Sequence, residues 1–387
     1  MLWATVGIGL MSDRRQSDAA MVETWLGRTG QCPLTLRIEC QYPVHRDLDS
    51  THPVIVAILP HSSRWQDVRF NITPAMFKTL DPIRNNLPCL QSMAVHTCGP
   101  VGEVKLMNMF ALAPRLHTLE TGYWLTRTAI EIPWAQLTQY DTMGDTVSKC
   151  LDRLQKCTSL VRSSLSLTGL DLNQFIGPVV ALPHLRSLFT VAHIPLANFL
   201  DHLLLPALNT FCYISPHDSP NIAFPNASFT ALMSRSSCLL HTLTLRVTLT
   251  DLELIECLRC TLSLVILILA SQGPLCMSTT AITQLTNRVV PCLVPKLRAL
   301  EFDYYPTLDI HALVDMIASR WETTCASQVE PGLQVARLLG VAVKSAYNSN
   351  VKEEMNGINA EALGCLNQFR KEGLTLSIEV GSRMIIL

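Results

Sequence analysis

The sequence predicts an α/β repeat fold, and a recurring phrase and its spacing are the reason. A proline that ends one element, followed by Leu-x-x-Leu entering a strand, occurs as Leu87-Pro88-Cys89-Leu90-Gln91-Ser92-Met93, Ala113-Pro114-Arg115-Leu116-His117-Thr118-Leu119, Leu182-Pro183-His184-Leu185-Arg186-Ser187-Leu188, Leu205-Pro206-Ala207-Leu208-Asn209-Thr210-Phe211 and Val294-Pro295-Lys296-Leu297-Arg298-Ala299-Leu300. Looser copies begin at Trp134, Leu160, Leu240 and Leu264, so successive anchors lie between 18 residues (116 to 134) and 33 residues (264 to 297) apart. Leucine-rich repeats recur every ~20–29 residues, and longer steps are absorbed as insertions on one face of a solenoid. The expected fold is therefore a leucine-rich-repeat solenoid, horseshoe-like, with parallel strands on the concave face, helices on the convex face and about 12 irregular repeats.

Taken in order, strands are expected at Leu34–Cys40, Asp67–Ile72, Leu90–His96, Leu116–Thr121, Trp134–Tyr140, Leu160–Leu167, Leu185–Val191, Leu208–Ser215, Leu240–Thr248, Leu264–Ala270, Leu297–Tyr304 and Leu374–Val380. Helical periodicity fills the gaps: Val54-Ile55 with Ala57-Ile58-Leu59, Leu170–Leu182 with Leu172, Phe175, Ile176 and Val179, and Ile310–Trp321 with Leu313, Val314, Met316 and Ile317. Apolar residues three and four apart form one stripe, which packs on a sheet. No such unit hides its apolar surface alone, so stacking supplies the core. The prolines of Pro216-His217-Asp218-Ser219-Pro220 and Pro225 account for the long step before Leu240, as a loop on the rim. The apolar Leu262–Ala270 is about half the length that crosses a bilayer, and is expected to be a buried strand.

Composition narrows the function. The 387 residues are 48% hydrophobic and 16% charged, with a net charge of −1. That balance suits a large buried core and lacks the basic excess of nucleic-acid or anionic-membrane binders, so neither partner is expected. The 14 cysteines are scattered through apolar segments, such as Cys150, Cys157, Cys260 and Cys365, as buried reduced thiols of a cytoplasmic or nuclear protein would be. The opening Met1–Leu10 lacks a basic region and a cleavage pattern, which argues against a signal peptide. Met1, Leu2, Trp3, Val6 and Ile8 are expected to lie loosely over the first strands, so that removing residues up to Ala20 would change melting little.

Beyond the repeats, Glu23-Thr24-Trp25-Leu26-Gly27-Arg28-Thr29-Gly30-Gln31-Cys32-Pro33-Leu34-Thr35-Leu36-Arg37-Ile38 resembles the segment after the F-box in F-box/leucine-rich-repeat-like proteins of mushroom-forming fungi. Leu2-Trp3-Ala4 is similar to the phrase that ends their F-box. Trp65-Gln66-Asp67-Val68, Ile132-Pro133-Trp134-Ala135-Gln136-Leu137-Thr138, Cys157-Thr158-Ser159-Leu160-Val161 and Glu372-Gly373-Leu374-Thr375-Leu376-Ser377-Ile378 continue the likeness in order. The resemblance implies residues 1–31 as the remnant of an F-box end with its linker helix, and 32–387 as the repeat domain. It further implies a substrate receptor of an SCF-type ubiquitin ligase, with an unknown protein substrate. The helices that dock an F-box on the Skp adaptor of cullin ligases do not precede Leu2 here, so Skp and cullin are expected only where an F-box stands upstream. A free-standing structural or regulatory repeat protein is the alternative.

Catalytic chemistry finds little support. Cys257-Leu258-Arg259-Cys260 has the spacing of a zinc or redox pair but no second pair at zinc-finger distance, and reads as core. No two of the 11 histidines fall in a His-Glu-x-x-His arrangement, and nucleophile-elbow, P-loop and dinucleotide fingerprints are missing. The chain is expected to be no enzyme and to hold no cofactor or metal. Binding remains. In a Leu-x-x-Leu-x-Leu strand the apolar positions face the core, and their neighbours project from the concave sheet. That register places Arg37, Glu39, Asp67, Arg69, His96, Glu120, Tyr140, Arg162, Arg246, Glu301 and Asp303 there, a mixed-charge surface suited to a protein partner.

Overall fold

A computed structural model describes residues 4–10, 15–40, 52–98, 107–122, 130–169, 175, 177–216, 222–270, 277–286, 292–304, 309–321, 335–345, 360–380 and 383–386. The chain divides into two compact units, Met1–Gln174 and Phe175–Leu387. Both are parallel-strand α/β solenoids of the leucine-rich-repeat type.

In the first unit β1 (Thr5–Leu10), α1 (Arg15–Arg28), β2 (Leu34–Cys40), α2 (Pro53–Ile58), β3 (Trp65–Ile72), α3 (Pro74–Lys78), β4 (Ser92–Thr97), β5 (Thr118–Thr121), β6 (Gln139–Thr146), α4 (Val147–Leu154) and β7 (Arg162–Gly169) follow one another. Every strand pairs in parallel with the next in sequence. In the second unit come β8 (Val180–Ala181), β9 (Ser187–Ala192), α5 (Ala197–Asp201), β10 (Leu203–Leu204), β11 (Thr210–Ile214), α6 (Asn226–Ser236), β12 (Thr242–Arg246), α7 (Asp251–Arg259), β13 (Ile266–Ala270), α8 (Thr279–Gln284), β14 (Ala299–Tyr304), α9 (Ile310–Trp321), β15 (Gly340–Ser345), α10 (Ala360–Lys371), β16 (Thr375–Val380) and β17 (Arg383–Ile386). There β9, β11, β12, β13, β14, β15 and β16 run parallel in that order. β17 turns back antiparallel to β16, and the short β8 and β10 pair separately.

The recurring phrase has a local cause. At each anchor the leucine N–H bonds the carbonyl three residues back: Leu116 to Ala113 at 3.1 Å, Leu185 to Leu182 at 3.2 Å, Leu208 to Leu205 at 3.1 Å and Leu297 to Val294 at 3.0 Å. Proline at the second position of such a turn has its φ already set and no N–H to lose. The chain then enters the strand, and the buried side chains stack from one repeat to the next: Leu185, Leu188, Leu208, Phe211, Leu240, Leu243, Leu264 and Leu267 are at most 1% exposed. Helices start on matching caps. Thr73 accepts from Met76 N ahead of Pro74 in α3, and Thr250 and Glu253 form a reciprocal capping box on α7.

Five expectations need correction. The repeat assigned to Trp134 is anchored three residues later: Trp134–Gln136 is a 3-10 turn and Leu137 N bonds Trp134 O at 3.1 Å. This moves Tyr140 from the sheet surface into the core, where it is fully buried, edge-on to Trp134, and accepts a hydrogen bond from Arg153 at 3.1 Å. Secondly, Val180–Ala181 is extended rather than helical and Val179 is 47% exposed; residues 170–174 and 176 of that expected helix lie outside the described residues, as do 217–221 of the expected rim loop. Thirdly, Thr5–Leu10 is no loose cover but a strand in register with β2, with Val6, Ile8 and Leu10 buried; Met1–Trp3 lie outside the described residues. Fourthly, Ile266 within the apolar 262–270 run is 36% exposed, because a one-sided sheet shows every second residue to solvent. Fifthly, Cys365 is exposed, whereas the thiols of Cys150, Cys157 and Cys257 are buried and their pKa is raised by that burial. β15 and β17 were not anticipated.

Beneath the sheet of the first unit, Asp145 and Arg153 form a nearly dry pair, Nη1 to Oδ2 at 2.5 Å, with the Asp145 side chain fully buried. Thr142 donates to the same oxygen at 2.9 Å. This cluster ties the last turn of α4 to the end of β6.

Candidate functional site

Alternating burial leaves one face of the first unit's sheet open, and the parallel register arranges its residues in rows. The first row reads Thr35, Asp67, Ser92, Thr118, Gln139, Arg162 and the second Arg37, Arg69, Ala94, Glu120, Asp141, Ser164. Glu39, Asn71 and His96 share a third. Arg37, Glu39, Asp67, Arg69, His96, Glu120 and Arg162 thus stand on one open face, as the alternation predicts, and all are exposed or half-buried. Tyr140 does not belong there. Its neighbour Asp141 takes that position.

Along the second row the charge changes sign, from Arg37 and Arg69 on β2 and β3 to Glu120 and Asp141 on β5 and β6. Ala94 lies between the two halves and offers only a methyl group between them. Arg69 Nη2 therefore spans two strands to reach Glu120 Oε2 at 3.1 Å, and His96 Nε2 meets the other oxygen, Oε1, at 3.1 Å. Gly122 makes room for that imidazole: a Cβ there would stand 2.4 Å from His96 Nδ1. Arg37 faces Arg69 directly across the strands. Two like charges side by side repel, and a carboxylate from outside would relieve them.

Asp141 closes the row. Its Oδ2 accepts from Gln139 Nε2 at 2.7 Å and its Oδ1 from Ser164 N at 2.8 Å. Burial raises its pKa above the usual carboxylate value; the two hydrogen bonds oppose the rise and the charge of Glu120 adds to it. A raised folded-state pKa contributes stability that is fully present below the unfolded value of about 4 and is lost as pH rises through the folded one. Asp141→Asn keeps an acceptor for Ser164 N and removes this pH dependence. The difference in melting temperature, Asn variant minus wild type, is expected to grow as pH is raised from about 3 to about 7 in a thermal-shift series. A difference that stays flat with pH would contradict this.

In the second unit the expected residues fall on the open face of its own sheet. Glu301 Oε1 pairs with Lys344 Nζ at 2.5 Å, Asp303 stands in register with Lys344, and Arg246 lies exposed on β12. Arg246 is therefore not part of the first unit's cluster, nor are Glu301 and Asp303. Lys344 escaped sequence reading because β15 enters as Leu338-Leu339-Gly340, without the proline phrase. Asp141 escaped because the anchor before it was set three residues early. Phe189, Val191, Ile214 and Ile268 also stand outward, although their apolar side chains read as core in the sequence. No helix among the described residues is long and apolar enough to cross a membrane.

No protein-family model matches the chain, and no curated protein does. Among solved structures, the chain is similar to the crystal structure of a TLR13–ssRNA13 complex, at 15% identity and a TM-score of 0.40. The match covers 84% of this chain, which spans 40% of the length of that protein.

Proposed function

We propose that this chain is a noncatalytic recognition solenoid that binds another protein on the open sheet face of its first unit, as the substrate-receptor part of an SCF-type ubiquitin-ligase adaptor. The observation that carries the recognition reading is the row that turns from Arg37 and Arg69 to Glu120 and Asp141 across adjacent strands. Such a pattern offers both signs within one footprint and sets the register of a partner with complementary charge. The ligase connection is supported by the ordered likeness of the phrases from Glu23 to Ile378, and the scattered thiols support a cytoplasmic or nuclear protein. Skp and cullin join only where an F-box stands upstream of the repeats.

Exchanging the ion pair tests this. Arg69→Glu combined with Glu120→Arg keeps an arginine and a carboxylate across β4 but replaces the basic-to-acidic row by one of alternating sign. With the melting temperature retained, capture of the wild-type chain's partner is expected to fall about tenfold or more, the scale of one desolvated charge contact. Equal capture by both forms would remove this face from the account. Absence of Skp and cullin from complexes of a chain extended upstream would remove the ligase connection while leaving the recognition reading intact.

A further inference from the structure

On the open face of the second unit, β9, β11, β12 and β13 present another chemistry. The register aligns Phe189, Cys212, Thr244 and Ile268 in one row, flanked by Ser187, Thr210, Thr242 and Ile266 on one side and by Val191, Ile214, Arg246 and Ala270 on the other. Phe189, Val191, Ile214 and Ile268 are half-buried and Ile266 is exposed. These side chains point away from the core that the alternate leucines fill. Apolar side chains gathered on the solvent side of a sheet mark an interaction surface, since a sheet that only needs a core keeps that side polar.

One charge stands in this field. Arg246 is exposed, and its nearest outward neighbours in register are Ile214 on β11 and Ala270 on β13. On β14, Glu301 stands in register with Ile268 and is already engaged by Lys344, with which Asp303 is in register. An arginine set among apolar side chains calls for a carboxylate that arrives with apolar neighbours of its own. A phosphate backbone would ask for several cations and a lipid surface for a basic cluster; the face has the single arginine and threonines that accept polypeptide hydrogen bonds.

We infer that the open face of β9–β13 binds a peptide segment of a partner protein whose large apolar side chains cover Phe189, Ile214 and Ile268 and whose single carboxylate, from Asp, Glu or a chain terminus, meets Arg246. This goes beyond the reading of the first unit, because it assigns a different surface and ligand chemistry.

The experiment is selection of a random-peptide phage library on the full chain, followed by titration of the enriched synthetic peptides. Enrichment of apolar peptides with one acidic group is expected, with affinity falling about tenfold or more for both Arg246→Glu and Arg246→Gln, the loss of one charge-assisted contact. Ile268→Asp should have a similar effect, while Arg69→Glu/Glu120→Arg should leave these peptides bound. Arg246 is exposed, so loss for Arg246→Gln with a retained melting temperature reports binding rather than folding. Three outcomes overturn the inference: no enrichment, peptides without an acidic requirement, or peptides unaffected by the Arg246 variants. Peptides lost only on the first-unit exchange would overturn it too, and would leave the proposal for the first unit standing.

Discussion

Replacing Arg320 with methionine is expected to destabilise the second unit by about 1–3 kcal/mol, read as a lower melting temperature and a lower urea midpoint. Arg320 is fully buried on α9. Its Nε donates to Leu285 O at 2.7 Å, Nη2 to Leu293 O at 2.7 Å and Nη1 to Val294 O at 3.3 Å. Those carbonyls belong to residues that are 4% exposed or less. Val294 also adopts φ of +42°, a conformation that β-branched residues rarely take, so this turn persists because its surroundings hold it. Methionine fills most of the volume, which separates the lost hydrogen bonds from the effect of a cavity. Arg320→Lys should recover only part of the loss, since one ammonium does not reproduce a planar fork that serves three carbonyls. A methionine variant as stable as wild type would show that the carbonyls find other donors.

Removing residues 1–20 is expected to lower the melting temperature clearly, against the expectation drawn from sequence. Val6 and Leu10 are 1% exposed and Ile8 is 7%, all in register with β2. Burying three such side chains is worth ~1.5–3 kcal/mol each as an upper bound. Ala19 of α1 is buried as well. Amides of β2 should also exchange faster, since β1 pairs along its whole length. An unchanged melting curve together with unchanged exchange would restore the loose-segment reading.

Both results bear on what the sequence made legible. The alternation Val6-Gly7-Ile8-Gly9-Leu10 is a strand signal of period two. The segment carries no leucine phrase, and its outward positions include two glycines, with nothing within 4 Å of a Cβ at Gly7. Where the Pro-x-Leu turn is present the anchors were found, since the turn is a local matter of φ and one hydrogen bond. Tyr140 shows the opposite case: its place depends on where a 3-10 turn ends, and Pro133-Trp134 imitates the phrase without closing the turn at the same residue. Outward polar positions followed from alternation alone. Their pairing did not, because the Arg69–Glu120 bridge depends on Ala94 between them and on Gly122 beside His96. Arg320 was unreadable in advance, since its partners are backbone carbonyls 26 to 35 residues away.

The most direct measurement is site-specific photo-crosslinking of the full chain in cell extract. The photoreactive residue is placed at Ser92, in the row between Asp67 and Thr118 on the open face, and separately at Asp152 on the exposed side of α4. The account predicts a protein adduct from position 92, lost in the Arg69→Glu/Glu120→Arg background, and none from position 152. An adduct from position 152 alone, or one from position 92 that survives the charge exchange, would contradict it.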